Sequence, residues 1–167
     1  MQRVETAEWT GMRADTHEEF EAFFCEHRDS ALRLALSITG DSESAHDAAQ
    51  EAFIRILDRW KRVREMESAE AFLKRTIVRC SIDALRSRRR LQPETDAAAT
   101  VPTHERIAVQ QALARLKPDH QAILALSIGQ GWSYEEIAEA LKIPSGTVGS
   151  RLHAAKEAFR REWGDER

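Results

Sequence analysis

Apolar residues recur every three or four positions along most of the chain, and no stretch alternates apolar with polar over the length of a strand. The pattern predicts helices throughout. Phe20, Phe24, His27, Ala31, Leu34 and Ile38 fall on one stripe of a first helix, which Thr16 and Glu19 open as a capping box and Gly40 stops. Ser42 or Ser44 is placed to cap a second helix with Ala45, Ala49, Ala52, Ile56 and Trp60 along one face. A charged connection, residues 61–68, leads to a third helix capped by Ser68, with Phe72, Leu73, Thr76, Ile77 and Cys80 inward and Leu85 near its end.

The period then fails. Leu91 to His104 (LQPETDAAATVPTH) holds two prolines and three consecutive alanines and almost no large apolar side chain, the composition of an extended, cleavable linker. Helical spacing resumes over Ile107–Leu116, Asp119–Ile128, Tyr134–Leu141 and Ser145 to about Trp163. The expected fold is all-α: a tail over 1–15, a helical domain over 16–90, a flexible linker over 91–104 and a second small helical domain over 105–167. Each half is small enough that its core should be modest.

Composition narrows the class. The 167 residues are 42% hydrophobic and 32% charged, with no apolar run of membrane-spanning length. Five acidic residues among the first nineteen argue against a secretory signal, and the expected compartment is the cytoplasm. Cys25 and Cys80 are the only cysteines, in no metal-binding or disulfide pattern. The net charge of −3 hides blocks: residues 1–58 carry −8, residues 59–90 carry +7 and residues 91–167 carry −2. The middle block attracts polyanions that the whole chain would repel.

The strongest motif is WSYEEIAEALKIPSGTVGSRLHAAKEAFRR, Trp132–Arg161. Ser133 and Glu136 form a capping box on a helix of about two turns, Ile143 and Pro144 stop it, and Ser145 caps the next helix. Ile137, Ala138, Leu141, Val148, Leu152 and Phe159 face inward. Two helices crossing at small Ala138 describe a helix-turn-helix. Its second helix offers Ser145, Thr147, Ser150, Arg151, His153 and Lys156 as donors to phosphates and base edges. Lys142 stands in the turn, at modest cost if the backbone there takes positive φ. Upstream, Glu43, Asp47 and Glu51 recur once per turn of the second helix, and their mutual repulsion invites a cation or a basic partner. No histidine completes a metal site there, and neither metal nor cofactor is expected.

Tyr134–Phe159 resembles region 4 of the extracytoplasmic-function sigma factors, two-domain initiation factors of bacterial RNA polymerase. LALSITGDSESAHDAAQEAFIRILDRW, Leu34–Trp60, is similar to their region 2.1–2.2, with Asp47, Gln50 and Glu51 on a D-x-x-Q-E pattern. AFLKRTIVRCSIDALRSRRR, Ala71–Arg90, resembles regions 2.3–2.4, with Ile82, Asp83, Leu85 and Arg86 on an I-D-x-L-R pattern. The resemblance implies binding to core RNA polymerase through Glu43, Asp47, Gln50 and Glu51. It implies contact of the −10 element by Lys74, Arg75, Arg79, Arg86, Arg88, Arg89 and Arg90, and reading of the −35 element by the helix-turn-helix. It also implies promoter DNA as a partner, an anti-sigma factor as a common further one, and no catalytic role. Gly149 and Ala154 fall where the family often has Lys or Arg, leaving Ser150, Arg151, His153 and Lys156 to carry more of the reading, with Gly149 allowing close approach to DNA. Phe72 replaces a frequent Trp and Arg79 a frequent Asn. Trp60 and Phe72 could stack on melted bases, though core packing is the favoured role; His27 and Cys80 read as core residues. Two rivals stand beside this reading. A free-standing helix-turn-helix regulator would bind DNA without polymerase. An all-α enzyme using Asp47, Glu51 or His27 would need a nucleophile–base pair, a phosphate-cradling loop or metal-ligand spacing, none of which the sequence offers.

Overall fold

The computed structural model describes residues 14–91 and 104–164. These form α1 (Ala14–Thr39), α2 (Ser42–Leu57), the single turn α3 (Trp60–Val63), α4 (Ala69–Leu91), α5 (His104–Arg115), α6 (Pro118–Leu124), α7 (Tyr134–Leu141) and α8 (Ser145–Gly164). Most of the expected tail and linker lie outside the described residues. Among the described residues there is no strand.

The N-terminal half is a bundle of α1, α2 and α4. Ala31, Leu34, Ala35 and Ile38 of α1 meet Ala45, Ala48, Ala49, Ala52, Phe53 and Ile56 of α2, and Leu73, Ile77, Val78 and Leu85 of α4 complete the core. The alanine-rich face of α2 lets the helices approach closely. Trp60 and Val63 close one end, the indole lying edge-on to Phe20 with centroids 5.4 Å apart and against Phe23 at 5.0 Å. Phe24 departs from its expected place on the buried stripe: it is 37% exposed, held edge-on to Phe53. His27 packs on the Phe23 ring, as a core histidine would.

Two expected caps are corrected. Thr16 lies inside α1, buried, and so does not open it. Asp41, not Ser42 or Ser44, caps α2: its extended backbone (φ −136°) directs a carboxylate oxygen to the Ser44 N–H at 2.8 Å. A carboxylate at a helix start also meets the positive end of the dipole, which a serine hydroxyl does not. Gly40 stops α1 as expected, at φ +76°, donating to the Leu36 carbonyl at 2.9 Å. Ser68 caps α4 through the Ala71 N–H at 3.0 Å.

In the C-terminal half, Pro118 opens α6, where its fixed φ suits the first turn. The helix widens into a π-helical turn, Ala125–Gly129, with the Gln130 N–H reaching the Ala125 carbonyl at 2.9 Å. The capping box at Ser133 and Glu136 forms in full. α7 ends at Lys142, which adopts the left-handed conformation (φ 53°, ψ 48°) and is the one non-glycine residue with positive φ among those described. Val148, Leu152 and Ala155 of α8 are buried against Ile137, Ala138 and Ala140 of α7.

The two halves are not separate bodies. α4 packs on α6 and α7, α1 packs on α6 and the π-helical turn, and a single apolar cluster runs from Ala31 to Ala155. The all-α architecture of two small helical halves is as expected, and in this structure each half leaves a face that the other covers. Replacing Lys142 by Gly removes the clash between Cβ and carbonyl that a left-handed residue suffers. Lys142→Gly is expected to raise stability by about 1 kcal/mol, read as an increase in the urea midpoint at constant m-value.

Candidate nucleic-acid interface

Three polar surfaces correspond to the three residue sets singled out in the sequence. Glu43, Asp47, Gln50 and Glu51 are all exposed on α2 and line a cleft of about 900 Å³ between α2 and the C-terminal part of α4. Its floor and rim include Cys80, Ile54 and Leu91, the last two exposed apolar side chains. The carboxylates are not equivalent. Glu51 accepts a hydrogen bond from Arg55 at 2.7 Å, which raises the guanidinium pKa, whereas among the described residues no ion pair holds Glu43 or Asp47. Cys80 lies under this cleft, and burial pushes its thiol up to about 11, so it is a structural thiol and a poor nucleophile. Among the described residues no cluster of His, Cys, Asp and Glu could hold a metal ion.

The α4 arginines are mostly engaged. Lys74 pairs with Glu70 one turn earlier at 2.7 Å, and that hydrogen bond lowers the Glu70 pKa. Arg88 turns back to the α2 cap and pairs with Asp41 at 2.6 Å. Arg75 reaches Glu139 of α7 at 2.5 Å, and Arg79 donates to the Ala140 and Glu139 carbonyls at 3.2 and 3.3 Å. Arg86 pairs with Asp119 at 2.9 Å. Arg89 donates to the Arg115 carbonyl at 2.7 Å and to those of Ala114 and Leu116. Arg90 is exposed. Asp119, Gln121 and Glu139 are therefore contact residues to which the sequence assigned no role; nothing local marks them.

On α8, Ser145, Ser150, Arg151, His153 and Lys156 are exposed and Thr147 is half-buried. Ser150 spends its hydroxyl hydrogen on the Thr147 carbonyl at 2.9 Å, leaving its lone pairs outward. Arg151 has no ion pair with Glu135 or Glu139; it lines a cleft of about 290 Å³ with Arg79, Arg86, Asp119 and Lys142. Gly149 faces α7, where a Cβ would meet the Tyr134 ring at 3.6 Å. It is a packing position, so the expected role in close approach to DNA is not where its missing side chain would point. Trp60 is buried in the aromatic cluster, as core packing requires, and Phe72 is half-buried against the same core.

Residues 23–91 match the family model of sigma-70 region 2, and residues 106–159 match that of sigma-70, region 4. The ECF RNA polymerase sigma factor SigL of Mycobacterium tuberculosis is 34% identical over 151 residues, covering 83% of this chain and 85% of that protein. The chain belongs to the extracytoplasmic-function sigma factors. It is a transcription initiation factor that works with core RNA polymerase at promoters, and the free-standing regulator is not favoured. The RNA polymerase sigma-E factor of Streptomyces coelicolor is 29% identical, covering 86% of this chain and 85% of that one. The fold agrees with a solved structure of the sigma factor RpoE in complex with the anti-sigma factor NepR from Bartonella quintana, at TM-score 0.65 and 19% identity, covering 90% of this chain and 99% of that one. Among the described residues, no helix of this sigma factor is long and apolar enough to cross a membrane.

Two measurements probe these environments. A native thiol titration should count the exposed Cys25 and miss Cys80, with both reacting in denaturant. His120 has its pKa lowered by burial and by Lys117, and its Nδ1 is buried without a hydrogen-bond partner. The unfolded chain therefore takes up this proton more readily than the folded one. The resulting penalty is absent above the unfolded value of about 6.5 and grows as pH falls below it. His120→Gln should narrow the difference in melting temperature between pH 7.5 and 5.5; an unchanged difference would remove His120 from the acid sensitivity.

Proposed function

We propose that this sigma factor docks on core polymerase through the acidic rim of α2, contacts the −10 element through the basic face of α4 and reads the −35 element through α8. The observation that carries the reading is the exposed Asp47, Gln50 and Glu51 set at the edge of a cleft whose other wall is the arginine-bearing helix. One small half thus offers a basic partner an acidic surface and DNA a cationic one. Acidic groups repel phosphate, so α2 keeps DNA off the polymerase-docking side while α4 attracts it, and each arginine–phosphate contact releases counterions. On α8, Arg151 can meet the O6 and N7 of guanine or a phosphate. No catalytic step is assigned to the chain, since nucleotide addition belongs to the polymerase, and its site of action is the cytoplasm, beside that enzyme. Because RpoE of Bartonella quintana was solved bound to NepR, an anti-sigma factor is taken as a further partner class.

Charge reversal at Asp47 and Glu51 together should weaken core binding at least tenfold with unchanged helicity by circular dichroism; undiminished affinity would defeat the docking assignment. Arg151→Ala, assayed by run-off transcription from a library of −35 variants, should cost about 1–3 kcal/mol and relax preference at one promoter position if it pairs with a base. A uniform loss with a shallower salt dependence would make Arg151 a phosphate contact, and an unchanged profile would remove it from the site.

A further inference from the structure

Cations gathered in a small space repel one another unless something anionic lies between them. A cleft of about 290 Å³ is lined by residues of both halves, from α2 and α4 of the first and from α6, α7 and α8 of the second. Five cationic side chains border it, Arg55, Arg79, Arg86, Lys142 and Arg151, against two carboxylates, those of Asp83 and Asp119. Both carboxylates pair with the same cation: Arg86 lies 3.6 Å from Asp83 and 2.9 Å from Asp119. Arg55 pairs with Glu51 at 2.7 Å. Arg79 donates to the main-chain carbonyls of Ala140 and Glu139, and among the described residues no carboxylate pairs with Arg79, Lys142 or Arg151. The cleft thus keeps an excess of positive charge that the protein itself does not neutralise.

Lys142 supplies a second, independent observation. It is the one non-glycine residue with positive φ among those described, in a backbone conformation that glycine takes without steric cost. Strain of this kind persists at ligand-binding sites, where the side chain is needed in place. Here that side chain is exposed and borders the cationic cleft. We propose that the cleft is a binding site for a compact polyphosphate, either a free diphosphate or the diphosphate of a nucleotide, held by Arg79, Lys142 and Arg151. Two linked phosphates concentrate about three negative charges, which suits three cations without carboxylate partners. Guanidinium forks and a lysine ammonium are the side chains that bind phosphate oxygens. The volume lies at the lower end of the usual range for small-molecule sites, roughly 300–1,000 Å³, so the ligand is small. A duplex, whose grooves alone are about 6 and 12 Å wide, stays outside. Bound in the cleft, a diphosphate ties α4 to the turn between α7 and α8. The site goes beyond promoter recognition and does not depend on it.

Isothermal titration calorimetry of the full chain reads the site, with inorganic pyrophosphate and with ADP, at matched ionic strength and without divalent metal. Wild type should bind one pyrophosphate per chain. Lys142→Gln and Arg151→Gln should each weaken it about tenfold, the loss of one charge-assisted hydrogen bond, while Lys142→Arg keeps most of the affinity. Lys142→Gly separates binding from folding: it should raise the urea midpoint and lose the ligand all the same, a combination that misfolding cannot produce. Tighter binding of ADP than of pyrophosphate assigns the site to a nucleotide, and the reverse to a free polyphosphate; both outcomes support it. A short random-sequence duplex is titrated against the same proteins, and Lys142→Gln should leave its affinity near that of wild type. Absence of saturable pyrophosphate binding, or unchanged affinity in the folded Lys142→Gln and Arg151→Gln variants, overturns the proposal. Equal losses for pyrophosphate and duplex in Lys142→Gln also overturn it, because Lys142 would then be an ordinary contact to nucleic-acid phosphate.

Discussion

The last carbonyls of a helix lack partners within it, and in this molecule three helix ends, that of α1 buried and those of α5 and α7 partly exposed, find donors along one seam. Gln121 completes α1, Arg89 completes α5 and Arg79 completes α7, each from the other half of the chain. The arrangement explains why two halves that each leave an incomplete core associate in one particular way. Apolar surface alone would allow the halves to slide, whereas the buried Ile38 carbonyl, left without Gln121, would cost about 1–3 kcal/mol and so punishes displacement. The seam is therefore apolar in its bulk and polar in its registration.

The use of arginine follows from the same constraint. A guanidinium serves several acceptors at once, so Arg89 spans three successive carbonyls where a lysine would serve them as a point charge. The positive block of residues 59–90 is thereby neutralised in place by Glu70, Asp41, Asp119, Glu139 and helix ends, without adding an acidic segment opposite it. Most of these pairs are at least partly exposed, where each contributes little to stability by itself. Exposed pairs of that kind can exchange one anionic partner for another at small cost.

Much of this was legible in the residues, and the boundary of legibility has a physical basis. Local rules succeeded at the Ser133–Glu136 box, the Gly40 stop, the Ser68 cap and the left-handed Lys142, all short-range geometry. They failed at Thr16, which lies inside α1, and at α2, where the capping Asp41 stands beside the expected Ser42 and Ser44 and differs from them only in dipole preference and loop geometry. They missed the π-helical turn at Ala125–Gly129, which preserves an apolar pattern while shifting its phase. The acidic residues of α2 and the basic residues of α4 and α8 were legible as charge patterns. Their seam partners Asp119, Gln121 and Glu139 were not, because a polar residue on a helix surface looks the same whether it faces water or another domain.

The separation of Gln121 from Ile38 by 83 positions also places the seam in time. At roughly 5–20 residues per second, the ribosome needs about 4–15 s to make the chain between Leu91 and Gly164. Until α6 has been made, α1, α2 and α4 lack the surface that packs against it, and the Ile38 carbonyl lacks its Gln121 donor. Arg75, Arg79 and Arg89 of α4 are likewise made before the groups at 114–116 and 139–140 with which they pair. The order of synthesis thus gives the N-terminal half its own core before the seam can form.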